Sequence, residues 1–241
     1  MGSRVSILGV PIDAVTLSEA SERIRVMITS GGQHHVLTPN PEMLVAARSN
    51  AAFRSVLQAS SLNVPDGYGL ILASRLLGCP LRERVSGIDL LTALCLRIDV
   101  PVFFLGAATG VAEQAAAALK AKNPALTVAG TYGGSPLSSA EDDIVDRVNR
   151  SGANVLFVAY GAPKQDLWIA RNLKRMPNIL VAMGVGGSFD FLAGIRKRAP
   201  EFLRSFGLEW LWRLLQEPKR ICRIFTATIV FPLLVFLSLL F

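Results

Sequence analysis

Asp66 is the residue of this chain best placed to do chemistry, and it sits in the stretch Leu62-Asn63-Val64-Pro65-Asp66-Gly67-Tyr68-Gly69. A short apolar run stops at Pro65, an acid follows, and two glycines flank Tyr68. That order predicts a strand end, a tight turn and a helix start, because glycine permits turn dihedrals and close backbone approach to a ligand. Open α/β folds bind ligands at the carboxyl ends of strands, so Asp66 is a candidate general base. The same carboxylate could instead cap the helix that begins near Tyr68. Thr38-Pro39-Asn40-Pro41-Glu42 has a similar character. Its prolines stop a strand and suit the first turn of a helix, which leaves Thr38 and Asn40 either to cap that helix or to hydrogen-bond a sugar. Arg84, just ahead of Ser86 and Gly87, is either a solvated arginine or an anion clamp. Gln165 follows the apolar run 155–161, and Asp190 follows the turn Gly184-Val185-Gly186-Gly187.

Several chemistries are excluded cheaply. The two histidines, His34 and His35, are adjacent at the start of a strand, which suits a structural role better than a zinc site or a Ser-His-Asp triad. No G-x-x-x-x-G-K-[ST] loop occurs, and no Asp-x-Asp pair is present to clamp a metal-bound nucleotide sugar. The turn Gly106-Ala107-Ala108-Thr109-Gly110 lacks the full dinucleotide spacing, and no acid stands where a ribose ligand would be expected. What remains is one well-placed acid, polar groups at strand ends, and arginines near an apolar tail. That set suits transfer of a sugar from a nucleotide to a lipid-borne hydroxyl. A carboxylate deprotonates the attacking hydroxyl, while cations and helix N-termini stabilise the departing diphosphate in place of a metal.

The elements that must position these groups alternate strand and helix. With 241 residues, 51% hydrophobic and 18% charged, the chain can bury a sizeable core. A small β unit at 5–16 precedes a helix at 17–30. Strands ending near Leu37, Asp66, Gly106, Tyr132, Gly161 and Gly184 each lead into a helix or a glycine turn. The alternation predicts an α/β fold, a Rossmann-like and mostly parallel sheet with helices on both faces. It also predicts that Thr38, Asn40, Asp66, Gln165 and Asp190 share one rim. The core is assigned to residues 1–195 and a C-terminal helical, membrane-binding appendage to 196–241.

The appendage is a different material. Apolar residues from Phe202 to Leu215 recur at helical spacing, Trp210 and Trp212 suit a membrane interface, and Lys219, Arg220 and Arg223 follow. Residues 224–241 then form an uncharged run with Pro232 near its middle. A helix of that length spans roughly 27 Å, short of a bilayer core of about 30 Å. A spanning helix, a re-entrant or interfacial segment and a buried core helix all remain open. The net charge of +7 is concentrated late in the chain, where cations would face an anionic membrane surface rather than nucleic acid. Cys79, Cys95 and Cys222 have no metal-ligand spacing and suit a reducing compartment.

The ordered set Thr38-Pro39-Asn40-Pro41-Glu42, Pro65-Asp66-Gly67-Tyr68-Gly69, Arg84-Val85-Ser86-Gly87, Gly161-Ala162-Pro163-Lys164-Gln165-Asp166 and Gly184-Val185-Gly186-Gly187-Ser188-Phe189-Asp190 resembles the WecG/TagA/CpsF glycosyltransferases. So do Arg198-Ala199-Pro200, Gly207-Leu208-Glu209-Trp210-Leu211-Trp212-Arg213 and Glu217-Pro218-Lys219-Arg220. The resemblance covers roughly residues 5–223. It implies an inverting, metal-independent enzyme without a cofactor, held at the cytoplasmic face of the cell membrane by its tail. The implied donor is a UDP-sugar of the N-acetylmannosamine, glucose or uronic acid type. The implied acceptor is a polyprenyl-diphosphate-linked saccharide in cell-surface polysaccharide synthesis. Homo-oligomerisation is left open. By the resemblance, Asp66, Thr38 and Asn40 are catalytic. Arg84, Gln165, Gly184, Gly186, Gly187, Asp190, Tyr132, Arg213, Arg220 and Arg223 bind substrate. Many members carry Glu where this chain has Asp166, and the apolar run after Arg223 is longer than the amphipathic tail of the family. The alternative is a non-catalytic, membrane-attached nucleotide-binding module.

Overall fold

The computed structural model describes residues 3–240. The chain opens on an antiparallel hairpin, β1 (Arg4–Ile7) and β2 (Val10–Asp13). The helix α1 (Leu17–Ser30) follows, started by a capping box between Thr16 and Glu19. Next come β3 (His34–Leu37), α2 (Pro41–Ser49), α3 (Ala51–Ala59) and the two-residue β4 (Leu62–Asn63). The helices α4 (Tyr68–Leu76) and α5 (Gly87–Cys95) lead to β5 (Val102–Gly106), α6 (Val111–Lys122) and β6 (Val128–Tyr132). The core ends with α7 (Glu141–Ser151), β7 (Val155–Ala159), α8 (Lys164–Asn172), β8 (Val181–Gly184) and α9 (Ser188–Leu192). Ser138 and Ser139 lie in a 3₁₀ turn ahead of α7, which starts without a side-chain cap.

The strands β3 to β8 form one six-stranded parallel sheet in the order β4-β3-β8-β7-β5-β6. Alternation along its central strands feeds two cores. Phe104 and Phe157 point to the face covered by α1, α5 and α6. Phe103, Leu156 and Val158 point to the face covered by α7 and α8, as a period of two requires. With both faces covered, β5 and β7 are buried at every position, which is why they read as unbroken apolar runs. From the middle of the sheet, β3 and β4 progress one way and β5 and β6 the other. The carboxyl ends of β4, β3, β8 and β7 therefore meet at the crevice where such sheets bind ligands.

The appendage continues as α10 (Glu201–Ser205), α11 (Glu209–Gln216), a 3₁₀ turn at Pro218–Arg220 and α12 (Ile221–Phe225). A π-helical turn at Thr226–Val230 precedes α13 (Phe231–Leu237). Pro232 does not break the run. It falls in the first turn of α13, just after the π-helical turn, where a proline is accommodated. The stretch Pro218–Leu237 is long and apolar enough to cross a bilayer, yet Phe231 and Val235 are buried against Leu44, Leu70 and Ile71 of the core. Phe225, Ile229, Leu233 and Phe236 are exposed on its outer side. The tail thus has one stripe packed on the protein and one stripe bare.

Candidate active site

The loops that carry the candidate groups are tied together by main-chain bonds. The Asp66 amide donates to the Pro39 carbonyl (2.9 Å), and the Val85 amide to the Pro65 carbonyl (2.8 Å). These bonds set the turns after β3 and β4 beside the loop that enters α5. The position capping α4 is Gly67, at φ 107° and with no side-chain cap bond. Asp66 is therefore not the cap of that helix. Its carboxylate turns instead to Arg84, with Oδ1 3.8 Å from Nε, and to the Gly87 amide, 3.5 Å from Oδ2. The side chain is 27% exposed. Desolvation by the surrounding protein pushes its pKa up, and Glu209 adds to that, while Arg84, Arg213 and the Gly87 amide pull the other way; the net direction is upward.

Thr38 stands beside this carboxylate. Its Oγ1 would lie 3.4 Å from a Cβ on Gly87, so the glycine keeps the helix start close to the threonine. Asn40 caps α2, its Oδ1 accepting from the Met43 amide at 3.0 Å. Asn40 also lines the cleft. Gln165 uses its Oε1 as a staple, accepting from the Gly161 amide at 3.0 Å and the Gly186 amide at 2.9 Å. It thereby locks the turn after β7 to the turn after β8. Behind it, Asp166 is 1% exposed, and burial pushes its pKa up to about 7. A Cβ on Gly184 would run into the Asp166 carboxylate and stand 2.6 Å from the Gln165 amide nitrogen. Gly184 is thus required by packing behind the cleft, whereas Gly186 and Gly187 line it.

The remaining groups are arginines held by carboxylates. Arg84 is only 15% exposed and pairs with Glu209, which rules out a solvated arginine. Its guanidinium carbon lies 5.7 Å from the centre of the Tyr68 ring. Arg213 donates to Glu209 at 3.0 Å and lies over Phe191. Arg220 pairs with Glu217, and Arg223 with Glu42 at 2.6 Å. Asp190 holds Arg196 at 3.3 Å, and Arg196 in turn reaches Glu217 at 2.7 Å. Arg198, from the same basic run, is locked bidentately to Asp89 (2.6 and 2.5 Å). Each of these arginines is paired with a carboxylate of the protein, Arg223 while still half exposed, and Lys197 and Lys219 are exposed as well. Tyr132 stands apart on the edge strand β6, its hydroxyl 3.5 Å from Asp143 and its ring under Arg147, and it lines neither of the clefts described next.

Two clefts meet at Asp66. The first, of about 140 Å³, is polar and is walled by Thr38, Gln165, Gly186, Arg196, Arg213 and Arg220 among others. The second, of about 600 Å³, runs between α4 and the appendage past Ile71, Leu72, Phe206, Trp210, Ala227 and Pro232. Asn40, Asp66, Arg213, Arg220 and Arg223 belong to both. Sequence reasoning missed Glu209, Glu217, Glu42 and the inward turn of Arg196. The i,i+4 spacing of Glu209 and Arg213 is a legible signal, but nothing in the sequence points from Glu209 to Arg84.

The glycosyl transferase WecG/TagA/CpsF family matches residues 5–241. The chain is 37% identical over 188 residues to the N-acetylglucosaminyldiphosphoundecaprenol N-acetyl-beta-D-mannosaminyltransferase of Bacillus spizizenii, covering 77% of this chain and 72% of that one. It is 34% identical over 228 residues to the Staphylococcus aureus protein of the same name, covering 92% of this chain and 88% of that one. With a family match over almost its whole length and relatives aligned along most of theirs, the chain belongs to the WecG/TagA/CpsF family of glycosyl transferases.

Proposed function

We propose that this protein transfers a sugar, of the N-acetylmannosamine type first and the glucose or uronic acid type otherwise, from UDP to a polyprenyl-diphosphate-linked saccharide. The names of the relatives support the acceptor class and the first of these sugars. The observation that carries the reading is the position of Asp66, a carboxylate of raised pKa where a polar, arginine-walled cleft opens into an apolar one. A charged nucleotide diphosphate suits the first cleft and a lipid-linked acceptor suits the second. The acceptor hydroxyl attacks the anomeric carbon and gives its proton to Asp66. The bond from that carbon to the diphosphate oxygen breaks, and UDP leaves with the electron pair. Attack on the face opposite the leaving group inverts the anomeric centre. Arg213, Arg220 and Arg223 exchange their carboxylate partners for the diphosphate and stabilise its growing charge, and the transfer needs no metal. Thr38 and Asn40 hydrogen-bond the sugar.

The bare stripe of the tail (Phe225, Ile229, Leu233 and Phe236) rests in the cytoplasmic face of the membrane, with α13 held against the core. Because Phe231 and Val235 are buried in the protein, the tail lies along the interface in this reading and does not span it. The test is direct. Full-length protein in anionic vesicles, given a panel of UDP-sugars and a polyprenyl-diphosphate N-acetylglucosamine, should release UDP with one donor and add one sugar mass to the glycolipid. No UDP release with any donor would overturn the reading.

A further inference from the structure

Arg84 and Asp66 pose a problem for a carboxylate that must accept a proton. An arginine free to close on an aspartate forms a two-pronged pair, and such a partner lowers an aspartate pKa by about 1–3 units. Arg84 is near enough to do this, yet its Nε stops 3.8 Å from Asp66, beyond hydrogen-bond range, and makes no hydrogen bond. The reason lies on the appendage. Glu209 of α11 takes the Arg84 Nη2 with one oxygen and the Arg213 Nη2 with the other, at 3.0 Å. Only 9% of Glu209 is exposed, and the Tyr68 ring lies beside the Arg84 guanidinium.

We infer that Glu209 is a positioning residue for Asp66: brought in by the appendage, it holds the Arg84 guanidinium off the Asp66 carboxylate and so keeps that carboxylate basic. The inference rests on the reading of Asp66 as the base. The groups that act on the Asp66 charge are Arg84 from the loop before α5, the Gly87 amide at the start of α5, and Glu209 and Arg213 from α11, and Thr38 from the turn after β3 shares its cleft. Asn40, Arg220 and Arg223 share the cleft walls. Burial and Glu209 favour the protonated carboxyl; the cations and the amide favour the carboxylate. Removing the Glu209 charge takes away one of the two raising influences and frees Arg84 to close on the carboxylate, strengthening the lowering influence it already has. The base is therefore complete only when the appendage is docked.

The test uses full-length protein in vesicles and follows kcat/KM against pH. Activity is lost as pH falls through the Asp66 pKa, because the protonated acid cannot accept a proton. Glu209→Gln should move this acidic limb to lower pH by about 1 unit and lower kcat at neutral pH roughly tenfold, with donor KM changed less than kcat. Arg84→Gln should move the limb the other way, to higher pH, and gives an independent reading if Glu209→Gln does not fold. A limb that stays put in either folded variant overturns the inference. Asp66→Asn separates the two readings. If it turns over at the wild-type rate, the base itself is wrong. If it is inactive while neither limb moves, only the role of Glu209 is wrong.

Discussion

A carboxylate at a strand end has two occupations open to it, helix cap or reactive group, and at Asp66 the choice falls on the next residue. Gly67 takes the capping position with a φ of 107°, and the Asp66 side chain is released toward Arg84 and Gly87. The case of Asp166 is different. It sits behind Gln165 with both carboxylate oxygens buried and without a hydrogen bond, at a pKa of about 7 against an ordinary 3.8. The folded chain binds a proton there that the unfolded chain has already released, so ionising Asp166 costs stability progressively from about pH 4 to pH 7 and fully above. Asp166→Asn is therefore expected to raise the melting temperature at pH 8, by about 3 °C or more, and to raise it clearly less at pH 4.5; thermal melts at the two pH values check this. Gly184→Ala, whose new methyl would meet the Asp166 carboxylate, is expected to destabilise the fold by about 1–3 kcal/mol, as read from a denaturant midpoint. At this scale the sequence was informative wherever a turn signal sat beside a polar residue, as at Thr38, Asn40 and Asp66. It was silent on Glu209, because the partner of that residue lies 125 positions away and no local pattern encodes such a contact.

Among the elements, the strands were readable because a sheet covered on both faces demands continuous apolar runs, and β5 and β7 have them. The strand ahead of Asp66 was read too, although it is only the two-residue β4 and stops at Asn63; the 3₁₀ turn ahead of α7 was not, since it depends on what packs against it. The tail was the least legible element. An uncharged run looks the same whether it spans a bilayer or packs on a protein, and only the burial of Phe231 and Val235 tells them apart. The two stripes of that helix should respond differently to mutation. Phe231→Ala removes a ring that is 1% exposed and should cost about 3–5 kcal/mol of stability, measured by denaturant unfolding. Ile229→Asp with Leu233→Asp changes residues that are 54% and 55% exposed. It should shift stability by no more than about 0.5 kcal/mol per site while sharply reducing flotation with anionic vesicles. Equal effects of both changes on unfolding would show that the outer stripe is also packed.

For the whole molecule, the appendage does more than present a bare apolar stripe. It supplies one wall of each cleft, the arginines that face Asp66, and the carboxylate that restrains Arg84. Its docking is written in ion pairs that cross to the core, Arg84 to Glu209, Arg223 to Glu42 and Arg198 to Asp89. Deleting residues 201–241 should therefore abolish both vesicle binding and turnover on a lipid-linked acceptor. It should also weaken UDP-sugar binding by the remaining core, which loses Arg213, Arg220 and Arg223; flotation and calorimetric titration measure the two losses separately. The most direct measurement of all is single-turnover sugar transfer by Asp66→Asn, set beside its affinity for UDP and its melting temperature. The account predicts that transfer falls by at least about 100-fold while UDP affinity and melting temperature stay close to wild type. Transfer at the wild-type rate would contradict it.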